Sequence, residues 1–231
     1  MFVRAGMLLA LLLALAPRPA AAMEDRSSLW LVGTLDGMLG AGEEFSPWRY
    51  RIRGQLRTFD AFDGTRQALV QSSIGRRLGG GFTFWGGYAF YQNNPSSIGS
   101  SQENRIWQQL DWTDLGWDGG TLRTRTLLEQ RWLDVFEDTG WRFRQQLRVD
   151  VPVRSGSRTA LIAAVEGIWD LRDTDWTDRG LSQVRLTAGA GFPVSARTRM
   201  EVGYQYQYRN LDGREDLVNH ILIFSFSYRK P

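Results

Sequence analysis

The residues of this sequence best suited to catalysis include a single histidine. His220 stands beside Asn219 at the start of the last predicted strand. It is in phase with Leu222, Phe224 and Phe226, so it belongs to the apolar side of that strand. A histidine paired with a serine and an acid can act as the general base of a hydrolase. No serine has a motif around it, so an outer-membrane lipid hydrolase using His220 is kept as an alternative. We assign no catalytic residue and disfavour an enzyme.

Four aspartates in the stretch DLRDTDWTDRG form the second candidate, a cation site: Asp170, Asp173, Asp175 and Asp178. A calcium loop needs a glycine at its sharp turn, and no glycine occupies that place here. We interpret the acids as a solvated external loop, and we expect neither a metal site nor a cofactor. Bridging of divalent ions to lipopolysaccharide phosphates by this loop is left open.

Arginines at alternate positions are the most extensive pattern, and every basic residue except Lys230 is an arginine. A guanidinium pairs with carboxylate or phosphate through two parallel hydrogen bonds. In WRYRIRGQLRTF and in the stretch 122–152 the charges alternate with apolar residues, which places them on one face of extended strands. The charged, lumen-facing set is predicted to be Arg49, Arg51, Arg53, Arg57, Arg123, Arg125, Glu129, Arg131, Arg142, Arg144, Arg148, Asp150 and Glu201.

Two interpretations of this charged face remain open. The charges can neutralise one another in a filled lumen, with Arg131 opposite Arg142 in a hairpin and Glu129 therefore opposite Arg144. The same register gives two further pairs, Arg123 with Asp150 and Arg125 with Arg148. Alternatively, arginines on the strands around Arg53 and Arg125 line a passive conduit for small anionic solutes.

The elements that would position these residues are strands, because no window outside residues 1–22 has a helical period. Eleven stretches have a period of two: 29–35, 48–59, 65–76, 81–91, 103–113, 122–132, 141–152, 158–169, 181–192, 198–209 and 220–228. Short turns alternate with longer polar loops, as in outer-membrane barrels. With both chain ends in the periplasm the strand count must be even. We therefore predict an antiparallel up-and-down transmembrane β-barrel with an even strand number, 12 preferred over 10, and place the ambiguity at residues 35–47.

The positions of the aromatic residues favour a membrane barrel over a soluble periplasmic β-sandwich binding protein, which is the other architecture that fits alternating strands. Tryptophan and tyrosine at strand ends are typical of the headgroup level of a bilayer. The interfacial aromatics are predicted to be Trp48, Trp132, Trp141, Trp169, Tyr204, Tyr206, Tyr208, Phe226 and Tyr228. Phe224, Phe226 and Tyr228 also resemble the signal read by the barrel-assembly machinery.

Residues 1–22 have a basic start, an apolar run and a small-residue end, which is typical of a secretory signal peptide. Residues 23–231 are then the barrel domain. Without Arg4 and Arg18 this domain has 26 basic and 25 acidic residues, so we expect no nucleic-acid partner. The sequence has no cysteine. An exported chain of this kind depends on burial and backbone pairing for its stability.

Several stretches resemble one family in order along the mature chain: ENRIWQQL, LLEQRW, GWRFRQQLRVDVP, DTDW, MEVGYQYQYRN and NHILIFSFSY resemble DUF2490 proteins. That group is assigned to bacterial outer-membrane β-barrels and has no established activity. The resemblance implies a Gram-negative outer-membrane location, contact with lipid and lipopolysaccharide, and a structural or porin-like role.

Overall fold

In the computed structural model the chain is described for residues 23–40, 46–58, 65–94, 99–117, 119–210 and 216–230. Every regular element in these ranges is a β-strand. No helix in them is long and apolar enough to cross a membrane. The predicted signal peptide lies outside the described residues, as do residues 41–45 of the ambiguous stretch.

The strands lie at nearly the same positions as the stretches with a period of two in the sequence. They are β1 Met23–Met38, β2 Trp48–Thr58, β3 Thr65–Gly79, β4 Phe82–Asn93, β5 Ser101–Trp117, β6 Gly120–Leu133, β7 Thr139–Pro152, β8 Ala160–Asp170, β9 Gly180–Pro193, β10 Thr198–Arg209 and β11 Asp216–Arg229. Most extend beyond the predicted bounds, because pairing with a neighbour continues past the last apolar residue.

Each strand pairs antiparallel with the next, and β1 pairs with β11 to close one barrel. The predicted antiparallel up-and-down barrel is confirmed, and the two packed sheets of a sandwich do not form from the described residues. Within those residues the closed barrel has eleven strands. With an odd number the first and last strands run in the same direction. The closing pair is therefore parallel, with Met23 opposite Asp216 and Asp36 opposite Arg229.

The two ends of the barrel differ in their connections. At one end, here the turn end, lie the connections β1–β2, β3–β4, β5–β6, β7–β8 and β9–β10, together with the end of β11. At the other, the loop end, lie the connections β2–β3, β4–β5, β6–β7, β8–β9 and β10–β11. The β3–β4 turn runs through three successive glycines with φ of 89°, 55° and 78°, Gly79 to Gly81. Residues with a side chain rarely adopt a positive φ, so glycine suits this tight turn.

Alternation along the strands separates an apolar outer face from a polar inner one. On β2, Ile52 and Leu56 are each 47% exposed, whereas Arg53 and Gln55 line an internal cavity. Other exposed outward residues on the strands include Leu31, Val70, Ile74, Phe84, Ile106, Leu147, Leu161, Leu222 and Phe226. The apolar faces therefore point away from the barrel interior, the reverse of a soluble protein core.

Part of the interior is filled by tryptophans lying over glycines. The ring of Trp85 covers Gly75 on β3, and the ring of Trp107 covers Gly87 on β4. Both rings belong to a buried cluster with Leu69, Ala89, Tyr91 and Leu127. These glycines make room for bulky side chains inside the barrel.

Replacing Gly87 with valine is expected to lower the free energy of unfolding by about 1–3 kcal/mol, because the core there is already filled. An added Cβ would overlap the Trp107 ring and lie 2.7 Å from the carbonyl oxygen of Ser72. Gly86→Val is the matched control, since nothing lies within 4 Å of a Cβ at that outward position. Denaturant unfolding of the folded barrel measures both. Equal losses in the two variants would contradict the packing argument.

Candidate functional site in the barrel lumen

A buried layer of paired charges crosses the lumen near the loop end. Its members, here the loop-end charge layer, are Glu103, Arg105, Glu129, Arg131, Arg142 and Asp170, all 9% exposed or less. The Arg105 guanidinium donates to Glu103 at 2.9 Å and lies 3.2 Å from Glu129. Arg131 reaches Glu103 at 2.5 Å, and Arg142 reaches Asp170 at 2.9 Å. Since water is almost excluded from these side chains, the lumen is filled along β5 to β8 at this level.

One carboxylate below this layer serves three arginines from three strands. Glu166 on β8 accepts from Arg125 at 2.7 Å, from Arg144 at 2.8 Å and from Arg185 at 3.1 Å. Among the described residues, Glu129 also lies 3.5 Å from Arg144, and Asp111 lies opposite Arg125 across β5 and β6. Glu166 is 3% exposed. Glu166 and its three arginines, the Glu166 cluster, hold more positive than negative charge.

A second group of ion pairs lies toward the turn end and is wetter. Arg148 pairs with Asp150 at 2.8 Å and with Glu201 at 2.7 Å. Arg51 pairs with Asp36 at 2.7 Å across β1 and β2. The Arg123 side chain is 50% exposed and lies 3.5 Å from Asp150. The lumen is therefore accessible to solvent at this end.

Between the Glu166 cluster and the turn-end pairs lies a cavity of about 430 Å³. Among the described residues that line it, eight are arginines and four are carboxylates. Arg57 lies over the Trp30 ring at 4.1 Å and donates to the amide oxygens of Gln67 and Gln55. Neither Arg53 nor Arg57 has a carboxylate within ion-pair distance in the described part of the chain, and the Nε of each is buried without a hydrogen-bond partner.

A smaller space of about 410 Å³ lies beneath the β8–β9 connection at the loop end. The ring of Trp176 from that connection covers Gly140 and lies 4.4 Å from the Arg131 guanidinium. The connection is held to the β6–β7 loop, because the backbone N–H of Asp175 donates to Asp138 at 3.1 Å. A folded loop thus lies above the loop-end charge layer.

The predicted register of the β6–β7 hairpin is wrong. The structure pairs Arg131 with Gly140 and Glu129 with Arg142, a shift of two residues from the expected Arg131–Arg142 pair. Thr139 and Gly140, taken for turn residues, belong to β7. Arg123 therefore faces Arg148, and Arg125 faces Gln146. Arginine side chains are long enough to reach diagonally across the two strands. Ion pairs therefore still form between Arg144 and Glu129 and between Arg123 and Asp150.

The structure brings most of the predicted charged set together in one lumen. Cavity-lining members are Arg51, Arg53, Arg57, Arg123, Arg125, Glu129, Arg144, Arg148 and Glu201. Arg131 and Arg142 lie in the loop-end charge layer, and Asp150 lies among the turn-end pairs. Arg49 occupies the same alternate phase of β2 as Arg51, closer to the turn end.

The predicted aromatics fall at both ends of the outer face. Trp48, Phe226 and Tyr228 lie toward the turn end; Trp132, Trp141, Trp169, Tyr206 and Tyr208 lie toward the loop end, and Tyr204 lies one alternate position deeper. The Phe143 and Trp169 rings approach with centroids 5.8 Å apart. Trp48 lies 5.5 Å from the Arg76 guanidinium.

His220, the catalytic candidate, and the aspartates of the β8–β9 connection, the cation-site candidate, lie in different parts of the barrel. His220 points away from the lumen, with its Nδ1 2.6 Å from the Tyr204 hydroxyl and its Nε2 3.6 Å from Asp25. Asp173 accepts from the backbone N–H of Arg179 at 2.7 Å within its own loop. Asp170 was predicted in a solvated loop, and this is wrong: it is 2% exposed and pairs with Arg142. It ends β8 and follows the inward phase of that strand.

Several residues of the lumen escaped the sequence prediction. Glu103, Arg105 and Trp107 occupy alternate positions of β5 and therefore share one face. The period of two in this stretch was enough to predict this. Glu166 stands among apolar residues on both faces of β8, so the pattern gave no sign of a charged face there. Arg185 is likewise a lone charge in β9.

Comparison with known proteins identifies a family and a relative, and neither has an assigned activity. An uncharacterised protein of Methylorubrum extorquens is 26% identical over 220 residues, which cover 94% of each chain. The model of one family, described as a protein of unknown function, matches residues 27–218. That match spans most of the chain and confirms the resemblance stated from its motifs: the chain belongs to the DUF2490 family.

Proposed function

We propose that this protein is an outer-membrane β-barrel of a Gram-negative bacterium with a structural role and a lumen closed near the loop end. The observation that carries the proposal is the sidedness of the strands: apolar residues face outward and charged ones face inward. Leu31, Ile52, Val70 and Leu222 are 46–57% exposed on the outer face. Soluble monomers rarely expose apolar patches beyond a few hundred Å².

The cost of the opposite arrangement supports the same location. A charged side chain on the lipid face at mid-bilayer costs about 2–4 kcal/mol. Four arginines share one phase of β2, so exposing that phase to lipid would cost on the order of 10 kcal/mol. In the barrel those arginines are enclosed. The two groups of outward aromatics suit the two headgroup regions, and the leader-like residues 1–22 support export.

The orientation is inferred from the connections: three of the five at the turn end have two to four residues, whereas all five at the loop end have five to nine. Outer-membrane barrels have short periplasmic turns and longer external loops. The turn end therefore faces the periplasm, and the loop end, with Trp176 above the loop-end charge layer, faces outward. Lipid and lipopolysaccharide surround the barrel, and the assembly machinery inserts it.

Purified protein is expected to insert into lipid vesicles, to migrate faster on SDS gels when left unheated, and to give no steady conductance in planar bilayers. Water is almost excluded from the side chains of the loop-end charge layer, so the proposed closed barrel should carry no ions. An open porin of similar strand number, recorded in parallel, provides the control. A chain that stays in the aqueous phase without detergent would refute the membrane location.

A passive conduit for small anions is the second candidate, and the arginine-lined cavity favours it. This function requires the loop-end charge layer to part. Steady, anion-selective current through wild-type protein in the same planar bilayers would select the conduit over the closed barrel.

A further inference from the structure

Among the described residues that line the cavity, arginines outnumber carboxylates, and the ion pairs between them leave positive charge uncompensated. Near the turn end, Arg51, Arg123 and Arg148 have Asp36, Asp150 and Glu201 beside them. Deeper in the cavity, three arginines share Glu166, and Glu129 lies 3.5 Å from one of them, Arg144. Arg53 and Arg57 add two more charges, and neither has a carboxylate partner among the described residues.

The surroundings of Arg53 and Arg57 hold these side chains inside the cavity. Arg57 is fixed by the Trp30 ring and by two glutamine side chains, which hydrogen-bond it and leave its charge uncompensated. The charged neighbours of Arg53 are other arginines, Arg51, Arg125 and Arg144. The Nε atoms of Arg53, Arg57 and Arg125 are buried without hydrogen-bond partners. A partly buried guanidinium without a carboxylate partner is unfavourable, so an anion bound near Arg53 and Arg57 would stabilise this arrangement.

We propose that the cavity binds a small molecule carrying two or more oxyanion groups, carboxylate or phosphate, with Arg53 and Arg57 as its principal contacts. Planar guanidinium groups suit these oxyanions because they can donate two hydrogen bonds at once. A space of about 430 Å³ accommodates a molecule of the size of citrate or pyrophosphate. The inference deepens the proposed function and takes its orientation from it.

The ligand enters from the turn end. The Arg123 side chain there is 50% exposed, whereas Arg105 and Arg131 in the loop-end charge layer are each 7% exposed. In the proposed membrane orientation this end faces the periplasm. The site is therefore a pocket open on one side, and binding does not require a solute to cross the membrane.

Isothermal titration of the full barrel, folded in detergent micelles, with pyrophosphate, citrate and neutral sucrose tests the site at constant ionic strength. We expect binding of at least one of the two anions and none of sucrose. Arg53→Gln and Arg57→Gln should each weaken binding by about tenfold to a hundredfold, the usual effect of losing charge-assisted hydrogen bonds. Arg53→Lys, which keeps the charge and loses the paired donors, should weaken it less.

Arg172→Gln is the matched control, because it removes one positive charge from an external loop, where the side chain is 59% exposed. Its affinity should equal that of the wild type. Faster migration of unheated samples on SDS gels shows that each variant is folded. Absence of binding to both anions by folded wild-type protein, or equal affinity in Arg53→Gln, Arg57→Gln and Arg172→Gln, would overturn the site. The membrane location would stand in either case, since vesicle insertion tests it separately.

Discussion

Glu166→Gln is expected to lower the free energy of unfolding by about 3–5 kcal/mol, the usual cost of removing one partner from a buried ion pair. The glutamine keeps the size of the side chain and removes its charge. Arg125 and Arg185 then lose the only carboxylate within ion-pair distance in the described residues, and Arg144 keeps Glu129 at 3.5 Å. Glu166 is 3% exposed, and the side chains of the three arginines are 12–23% exposed, so water in the cavity screens the remaining charges only in part.

Urea unfolding from detergent micelles or vesicles, followed by tryptophan fluorescence, measures this loss. Glu24→Gln is the matched control, because its carboxylate is 51% exposed and pairs with Arg26 at the surface. Such exposed pairs contribute about 0–1 kcal/mol. If Glu166→Gln changed stability no more than Glu24→Gln, the Glu166 cluster would have to be hydrated, and its ion pairs would not hold the barrel together. Adding pyrophosphate should restore part of the loss if the anion site is real.

The sequence predicts the strands and their two faces, because alternation is a local property. WRYRIRGQLRTF shows which side of β2 is charged without any knowledge of its neighbours. Closure of the sheet then encloses the charged side, and the prediction of a lumen lined by Arg51, Arg53 and Arg57 follows from that step.

Register and closure of the barrel are not local properties, so alternation does not predict them, although it does find the eleven strands. A hairpin can shift by two residues without turning any side chain to the other face, so alternation cannot distinguish Arg131 opposite Arg142 from Arg131 opposite Gly140. The even count depended on where the chain ends lie, and the parallel pairing of β1 with β11 removes that requirement among the described residues. The position of Glu166 beside three arginines depends on the register of the strands and on how the sheet closes. The centre of the candidate site could therefore be found only from the structure.

Leu147→Arg tests whether the outer face contacts lipid, as the proposed membrane location requires. Leu147 points outward on β7, is 44% exposed, and lies opposite Val165 at the middle of β8. In a bilayer an arginine there is expected to cost about 2–4 kcal/mol of folding free energy. In a water-soluble barrel the same exposed substitution should change stability by about 0.5 kcal/mol or less.

The dependence on depth separates a lipid effect from a packing effect. Leu161 also points outward, is 56% exposed, and lies near the turn end of β8, opposite Val151. Leu161→Arg removes the same side chain, and near the interface it should cost only about 0–1 kcal/mol, since the guanidinium reaches the headgroups. Urea unfolding of both variants from vesicles gives the comparison. Equal and small losses at Leu147 and Leu161 would place water against the outer face and refute the bilayer, whereas a loss confined to Leu147 requires hydrocarbon at that depth.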